Sequence, residues 1–597
     1  MLLFSRPRGS SLFCPIVLVA TIFSRPVAAD ELARWLPADT PLIVELARPA
    51  ALQPLLENWN LLPILRDLPQ VRSALENPDL GNVRLAVEAV AASLNTTPLA
   101  LADELAGAGA TLAVEGPQKY VLVVRPNRPD RLQPALDAAL KLVRQELAKQ
   151  NLPDSYVTQE HQGVSITSFA QTGALAIVDH QLLVTNSLDR LKALLDLRAN
   201  PPAESLAGDA RFAKLKGSLA DNAAAWFYAR LDKVRAFNAS PEAAKPGDET
   251  GGRLLLGRWL DLVQKGETLG GQLIVQADSL ELKALMSVPA DVQNGPLEVF
   301  RPHTVGASLP IQIPQTLLSA TLWRDFSAMW EVREQFLGPE ALKGLAQLDS
   351  FAGQFFGGRD FGTGVLGSLG DQWRIVIAHQ DYDAQKPAPG TRYPGVALII
   401  PVDPEDEEFG VRLQSAFQTF IGLANLGAAQ SKSPPLMLGS EQVEGVTMFR
   451  GTFVPPKNAV KDEPADDRFN LSPSGALVGN AFVLASSADV ARTVIRSLKN
   501  PSPTQAEPTD QTKAEAIPTL RIAASGPEIA KLVAINKETL VSRNVLEKGN
   551  SRQAAAGEIE LLEKLLAIVK TAHAEILDAP DEVRLNFHLD RANAPTK

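Results

Sequence analysis

The sequence predicts an α+β protein made of two tandem homologous units, each a mainly antiparallel sheet with helices packed on one face. Three observations predict this. A run of strand, hairpin and helix signals occurs twice, with Ser187-Leu188-Asp189 answered by Ser487-Ala488-Asp489 at an offset of 300 residues. Within each copy the strands follow one another through short turns, which implies antiparallel pairing. Helical signals are interspersed among the strands without strict alternation, which favours α+β over a doubly wound parallel sheet.

The chain has 597 residues, and its first 29 read as a targeting segment. Arg6 and Arg8 are followed by the apolar run Ser11 to Phe23, and Val27-Ala28-Ala29 offers small residues for cleavage before Asp30. That is the pattern of a secretory signal peptide. The run is short of the roughly 20 residues a membrane-crossing helix needs. The single cysteine, Cys14, lies in this run, so cleavage leaves no thiol, disulfide or thiolate metal site. The formal charge of −10 becomes −13 once Arg6, Arg8 and Arg25 are removed. An acidic exported chain of this kind is repelled by nucleic acid and by anionic surfaces. No later segment is a transmembrane candidate. The predicted location is secreted or periplasmic.

The first unit is placed at 30–300 and the second at 301–597. Lys119 to Arg125 is a short β-branched run that reads as a buried strand. Pro129 can open the next helix, where Leu132, Leu136, Leu140, Val143 and Leu147 form one apolar face. Gly163 turns the chain into the alternating strand 164–169. A hairpin follows, with Ala174 to Val178 and Gln181 to Thr185 around Asp179-His180. Ser187 suits a helix N-cap, and Asp189 suits the first turn. The last elements are a helix over 254–263 and the strand pair 271–288.

The second copy repeats these signals. Val396 to Pro401 matches Tyr120 to Pro126, and Val443-Glu444-Gly445-Val446 matches His161-Gln162-Gly163-Val164. Ala476 to Ile495 matches Ala174 to Leu195, and Ala574 to Leu589 matches Gly271 to Val288. The openings, Leu36 to Val44 and Leu309 to Leu322, are more weakly alike. Four polar stretches, Asn238–Gly252, Ala428–Pro435, Pro455–Arg468 and Asn500–Pro518, read as surface loops.

Chemical signatures are few. Gly362-Thr363-Gly364-Val365-Leu366-Gly367 fits G-x-G-x-x-G but leads into the strand-like Trp373 to Ile377, with no helix to hold a pyrophosphate. It reads as a glycine-permitted turn, as does Gly107-Ala108-Gly109 in the first copy. The six histidines, His161, His180, His303, His379, His573 and His588, include no pair at zinc-site spacing. His161 and His180 give way to Val443 and Asn480 in the second copy. No nucleophile elbow occurs. Asp406-Glu407-Glu408 suits a helix start. Trp323, Phe326, Trp330 and Trp226-Phe227-Tyr228 read as core aromatics. Asn95, Asn238 and Asn470 stand in glycosylation sequons. No catalytic, cofactor-binding or metal-ligating residue is assigned, and no cofactor is expected.

Leu36-Pro37-Ala38-Asp39-Thr40-Pro41, Ser205 to Phe212 (SLAGDARF) and Val365 to Asp371 (VLGSLGD) each precede or follow a strand signal. On these short motifs the chain resembles a group of large exported bacterial proteins known only as domains of unknown function. The resemblance implies an envelope or extracytoplasmic location and a tandem α+β build, and it brings no catalytic residue. The expected role is non-catalytic: an envelope-associated binding or scaffold protein with a protein or envelope component as partner. The alternatives are an extracytoplasmic hydrolase of unrecognised type and a carrier of an apolar ligand.

Overall fold

The computed structural model describes residues 29–592, apart from 69–70, 72–77, 118, 150–155, 170–172, 238–249, 383–387, 432, 454–465 and 502–515. The leader, most of the polar stretch 238–252 and parts of 455–468 and 500–518 therefore lie outside the described residues. The chain divides into two compact units, 1–244 with 266–287, and 245–265 with 288–597. The fold is α+β, with antiparallel pairing throughout the described ladders.

Among the described residues the first unit carries ten strands. They are β1 (Leu42–Leu46), β2 (Ala110–Gly116), β3 (Lys119–Val124), β4 (Tyr156–His161), β5 (Val164–Phe169), β6 (Gly173–Val178), β7 (Gln181–Thr185), β8 (Ala225–Arg230), β9 (Thr268–Val275) and β10 (Ser279–Ser287). Pairing gives the order β4-β5-β6-β7-β3-β2-β1-β8-β9-β10.

Among its described residues the second unit has ten more: β11 (Thr316–Trp323), β12 (Gln372–Ala378), β13 (Gly395–Pro401), β14 (Leu436–Val443), β15 (Val446–Phe453), β16 (Ser474–Val478), β17 (Ala481–Ala485), β18 (Ile517–Ser525), β19 (Val569–Asp578) and β20 (Glu582–Arg591). Their order is β14-β15-β16-β17-β13-β12-β11-β18-β19-β20. Position by position, this is the order of the first unit.

The hairpins follow from their turn residues. Asp179 and His180 both take positive φ, 47° and 64°, as a two-residue turn matched to strand twist requires. Glu444-Gly445 does the same between β14 and β15, with φ of 49° and 76°.

Helices cover both faces of each sheet, which corrects the one-face expectation. Val121 and Val123 of β3 point to a core shared with Leu191, Leu194 and Leu195 of the Leu188–Ala199 helix. Leu122 and Val124 of the same strand point the other way, towards Leu136 and Leu140 of the Leu132–Lys149 helix. The second unit repeats this. Ala397 and Ile399 face Val490, Val494 and Ile495 of the Ala488–Lys499 helix. Ile400, with Phe482 of β17, faces Phe409, Phe417 and Ile421 of the Glu407–Ser431 helix. The physical reason is the unbroken apolar run of the central strands, which would expose half its side chains on a one-sided sheet.

Two other expectations change. Ala428 to Ser431 is the last turn of the Glu407–Ser431 helix, so the loop begins later than the sequence suggested. Residues 250–265 sit in the first half of the sequence but pack with the second unit. There the Thr250–Lys265 helix places Leu254 against Phe300 and Phe336.

The two equivalent helices are capped differently. The Ser187 hydroxyl accepts from the Arg190 N–H. Ser487 makes no side-chain cap bond, and the Ala488 N–H donates instead to Ser472 Oγ at 2.8 Å. Ser187→Ala is therefore expected to cost about 1 kcal/mol and Ser487→Ala to lose no cap bond. Urea midpoints of the two variants check this. Neither change should unfold its helix, since each buried leucine on the first contributes about 1.5–3 kcal/mol.

Among the described residues no single helix is long and apolar enough to cross a membrane.

Candidate functional site

A cleft of about 690 Å³ opens in the second unit. One wall is formed by residues 379–382 and 388–393, on the connection from β12 to β13. The other is the Gly526–Ile535 helix, which follows β18. At the corresponding step of the first unit, β2 reaches β3 directly across Pro117 and Gln118. The connection that forms the cleft is thus a long insertion belonging to the second unit.

Two asparagines fix the inserted wall. Asn470 is 1% exposed. Its Nδ2 donates to the carbonyls of Thr391 and Asp467, both at 2.8 Å. Its Oδ1 accepts from the Tyr393 N–H at 2.9 Å and from the Tyr382 hydroxyl. Asn536 grips Arg392, accepting from its N–H at 2.8 Å and donating to its carbonyl at 2.9 Å. Gln380 Nε2 donates to the carbonyls of Tyr393 and Asn470. An unmade bond to a buried polar group is costly, so these amides hold Tyr382 and Thr391 to Tyr393 in place. Burial pushes the Tyr382 phenol up to about 12, so it stays neutral.

The charged groups of the cleft are mostly paired. Glu528 accepts from Lys531 Nζ at 2.7 Å. His379 Nε2 lies 2.9 Å from the Glu528 carbonyl and 3.5 Å from its carboxylate. Arg392 is different. Its guanidinium lies over the Tyr382 ring at 5.9 Å, and among the described residues it forms no ion pair. Leu532, Ala534 and Ile535 supply an apolar side, and Ile535 is 49% exposed.

The motifs singled out in the sequence lie elsewhere, His379 and Asn470 excepted. Phe361–Val365 and Leu366–Ser368 are two short helical turns rather than one open turn. Gly362 and Gly364 are not among the residues with positive φ. Glycine is needed at 362 for space, because a Cβ there would lie 2.3 Å from Trp330 Cδ1. In the first unit Gly109 does take positive φ, 114°, and a Cβ there would meet Arg125 Nη2 at 2.8 Å. That arginine is buried against Glu45 and donates to Thr111 Oγ1 at 2.8 Å.

Asp406 sits at the start of the Glu407–Ser431 helix and is held by Arg359, with Ser368 Oγ donating at 2.8 Å. The Arg359 hydrogen bonds, reinforced by Ser368, hold its carboxyl below the ordinary value of 3.8. A carboxylate lowered in the folded state adds stability that is complete above its unfolded value and is lost as the pH falls through the folded one. Asp406→Asn is therefore expected to be less stable than wild type at pH 7. The gap should close below pH 3.8, in urea titrations run at both pH values.

His161 bonds Asp196 at 2.7 Å. His180 sits in its hairpin turn, and His303 is exposed. His573 and His588 face each other across β19 and β20. Among the described residues no group of three or more His, Cys, Asp or Glu could hold a metal. Trp226 and Trp323 are buried, while Trp330 is half-buried with its ring edge-on to Phe361. Asn470, read as part of a sequon, is a buried clamp whose amide is fully used. Asn95 is exposed with positive φ, and Asn238 lies outside the described residues.

No family model matches this chain, and no curated protein matches it. Solved structures titled as crystal forms I, III and IV of TP0453 align with 12%, 12% and 10% identity. They cover 44%, 45% and 44% of this chain and 79%, 84% and 83% of theirs, at TM-scores of 0.22, 0.23 and 0.24. A superposition at that level gives no residue of this chain a role.

Proposed function

We propose that this is an extracytoplasmic, non-catalytic binding protein built from a duplicated unit, whose second copy holds a small organic molecule in the cleft beside the Gly526–Ile535 helix. The cleft carries this reading. Its 690 Å³ falls within the roughly 300–1,000 Å³ typical of small-molecule sites. Its walls are held in advance by Asn470 and Asn536, which spares a ligand the cost of ordering them. His379 and Lys531 are occupied by Glu528, which suits a fixed receptor surface better than a proton-transfer centre. Duplication is supported by the shared strand order, and the two units differ in the length of the β2–β3 and β12–β13 connections. The extracytoplasmic setting and an envelope component as partner rest on the leader-like residues 1–29. N-terminal sequencing of the exported chain checks the leader, with Asp30 as the expected first residue.

The binding reading is tested on the full chain with the fluorescent sulfonate 1-anilinonaphthalene-8-sulfonate. One molecule per chain is expected to bind. Ala534→Trp, at an exposed position on the cleft wall, is expected to abolish that binding and leave the urea midpoint unchanged. Binding that survives the tryptophan unaltered would remove the cleft from consideration.

A further inference from the structure

Building on that cleft as a binding site, we infer that its ligand is an amphipathic organic anion, with a carboxylate-type head taken by Arg392 and an apolar body lying on Leu532, Ala534 and Ile535. The charge pattern is the first ground. Of the cations at the cleft, Lys531 and His379 both engage Glu528. Arg392 alone has a ring beneath it and no carboxylate among the described residues.

Its placement is the second ground. The backbone of Arg392 is held at both its N–H and its carbonyl by Asn536. The Tyr382 ring under the guanidinium cannot swing away while its hydroxyl is bonded to Asn470. A guanidinium pre-set in this way offers a planar fork that matches a carboxylate with two parallel N–H bonds. The apolar wall is the third ground. Ile535 and Ala534 are both exposed beside this cation, and an isoleucine left half in water gains from a hydrocarbon neighbour. Three acids oppose this: Glu528, which is shared with Lys531 and His379, Asp467, which accepts from the Thr391 N–H and the Tyr393 hydroxyl, and Asp381, an exposed acid at the rim whose N–H is tied to Asp489 at 3.0 Å. If these acids ruled recognition, a cationic head would be preferred.

The experiment compares decanoate, decyltrimethylammonium and 1-decanol as displacers of the sulfonate dye from the full chain. Decanoate is expected to displace it best, with decyltrimethylammonium at least about tenfold weaker. Arg392→Met is expected to weaken decanoate by about tenfold or more while 1-decanol is unchanged, and Arg392→Lys is expected to fall between. An unchanged urea midpoint for each variant keeps the comparison within folded protein. Preference for the ammonium, or full decanoate affinity in Arg392→Met, would overturn the anion inference and leave the cleft reading intact if Ala534→Trp still abolishes dye binding. Failure of all three displacers, with Ala534→Trp also without effect, would overturn both.

Discussion

Arg258→Ala is expected to destabilise the second unit by about 3–5 kcal/mol. Arg258 is 1% exposed on the Thr250–Lys265 helix. Its Nε meets Asp578 Oδ1 at 3.2 Å and its Nη1 meets Glu298 Oε2 at 3.1 Å. Asp578, itself 1% exposed, also accepts from Thr519 Oγ1 at 2.7 Å. Truncating the arginine leaves that aspartate charged, buried and short of a partner. The magnitude comes from this stranded charge, because desolvation consumes most of the attraction within an intact pair. The paired replacement separates the two terms. Arg258→Met combined with Asp578→Leu is expected to cost far less than either Arg258→Ala or Asp578→Ala. Urea unfolding, with hydrogen exchange followed across β18 and β19, reads both outcomes. Equal losses in the single and double variants would mean that packing, not charge, holds this junction.

Phe409→Ala is expected to cost a similar amount, about 3–5 kcal/mol, by a different route. The Phe409 ring is fully buried. It stacks on Phe356 with centroids 5.5 Å apart, and the Arg359 guanidinium covers it at 5.6 Å. Val365, Val402, Phe417, Ile421 and Phe482 complete the cluster. Removing the ring loses its transfer energy and leaves a hole that rigid neighbours fill only in part. Phe409→Leu should recover most of the loss, since it refills much of the volume. Urea midpoints of the two variants give the comparison, and a loss under about 1 kcal/mol for alanine would mean that the helix can settle inward.

Much of the strand pattern was legible because its signals are local. The Asp179-His180 turn, the Ser187 cap and the matched hairpin 476–485 all reflect preferences of neighbouring residues. The side on which each helix packs was not legible. Leu132 to Leu147 announces an apolar face, yet period 3.6 does not say which surface of a sheet receives it. The evidence was present in Val121-Leu122-Val123-Val124, an apolar run on both alternations, which already requires cover on two sides. The candidate site was almost invisible. Gln380, Tyr382, Arg392 and Tyr393 match no motif, and Arg392 meets Asn536, as His379 meets Glu528, only because β12, β11 and β18 are adjacent in the sheet. The role of Asn470 was not legible either, because its sequon is a local pattern and burial is not. The usable hint was a length difference between the two units, with two residues linking β2 to β3 against a long excursion from β12 to β13.

The Arg258–Asp578 contact also orders events during synthesis. The partners are 320 residues apart in the chain. At about 5–20 residues per second, the ribosome delivers the arginine tens of seconds before the aspartate. Throughout that interval the Thr250–Lys265 helix carries a cation that has no dry place to go. It has to wait in water until β19 is made. Closure of the second unit is thereby tied to the arrival of β19, which makes its folding late and strongly non-local.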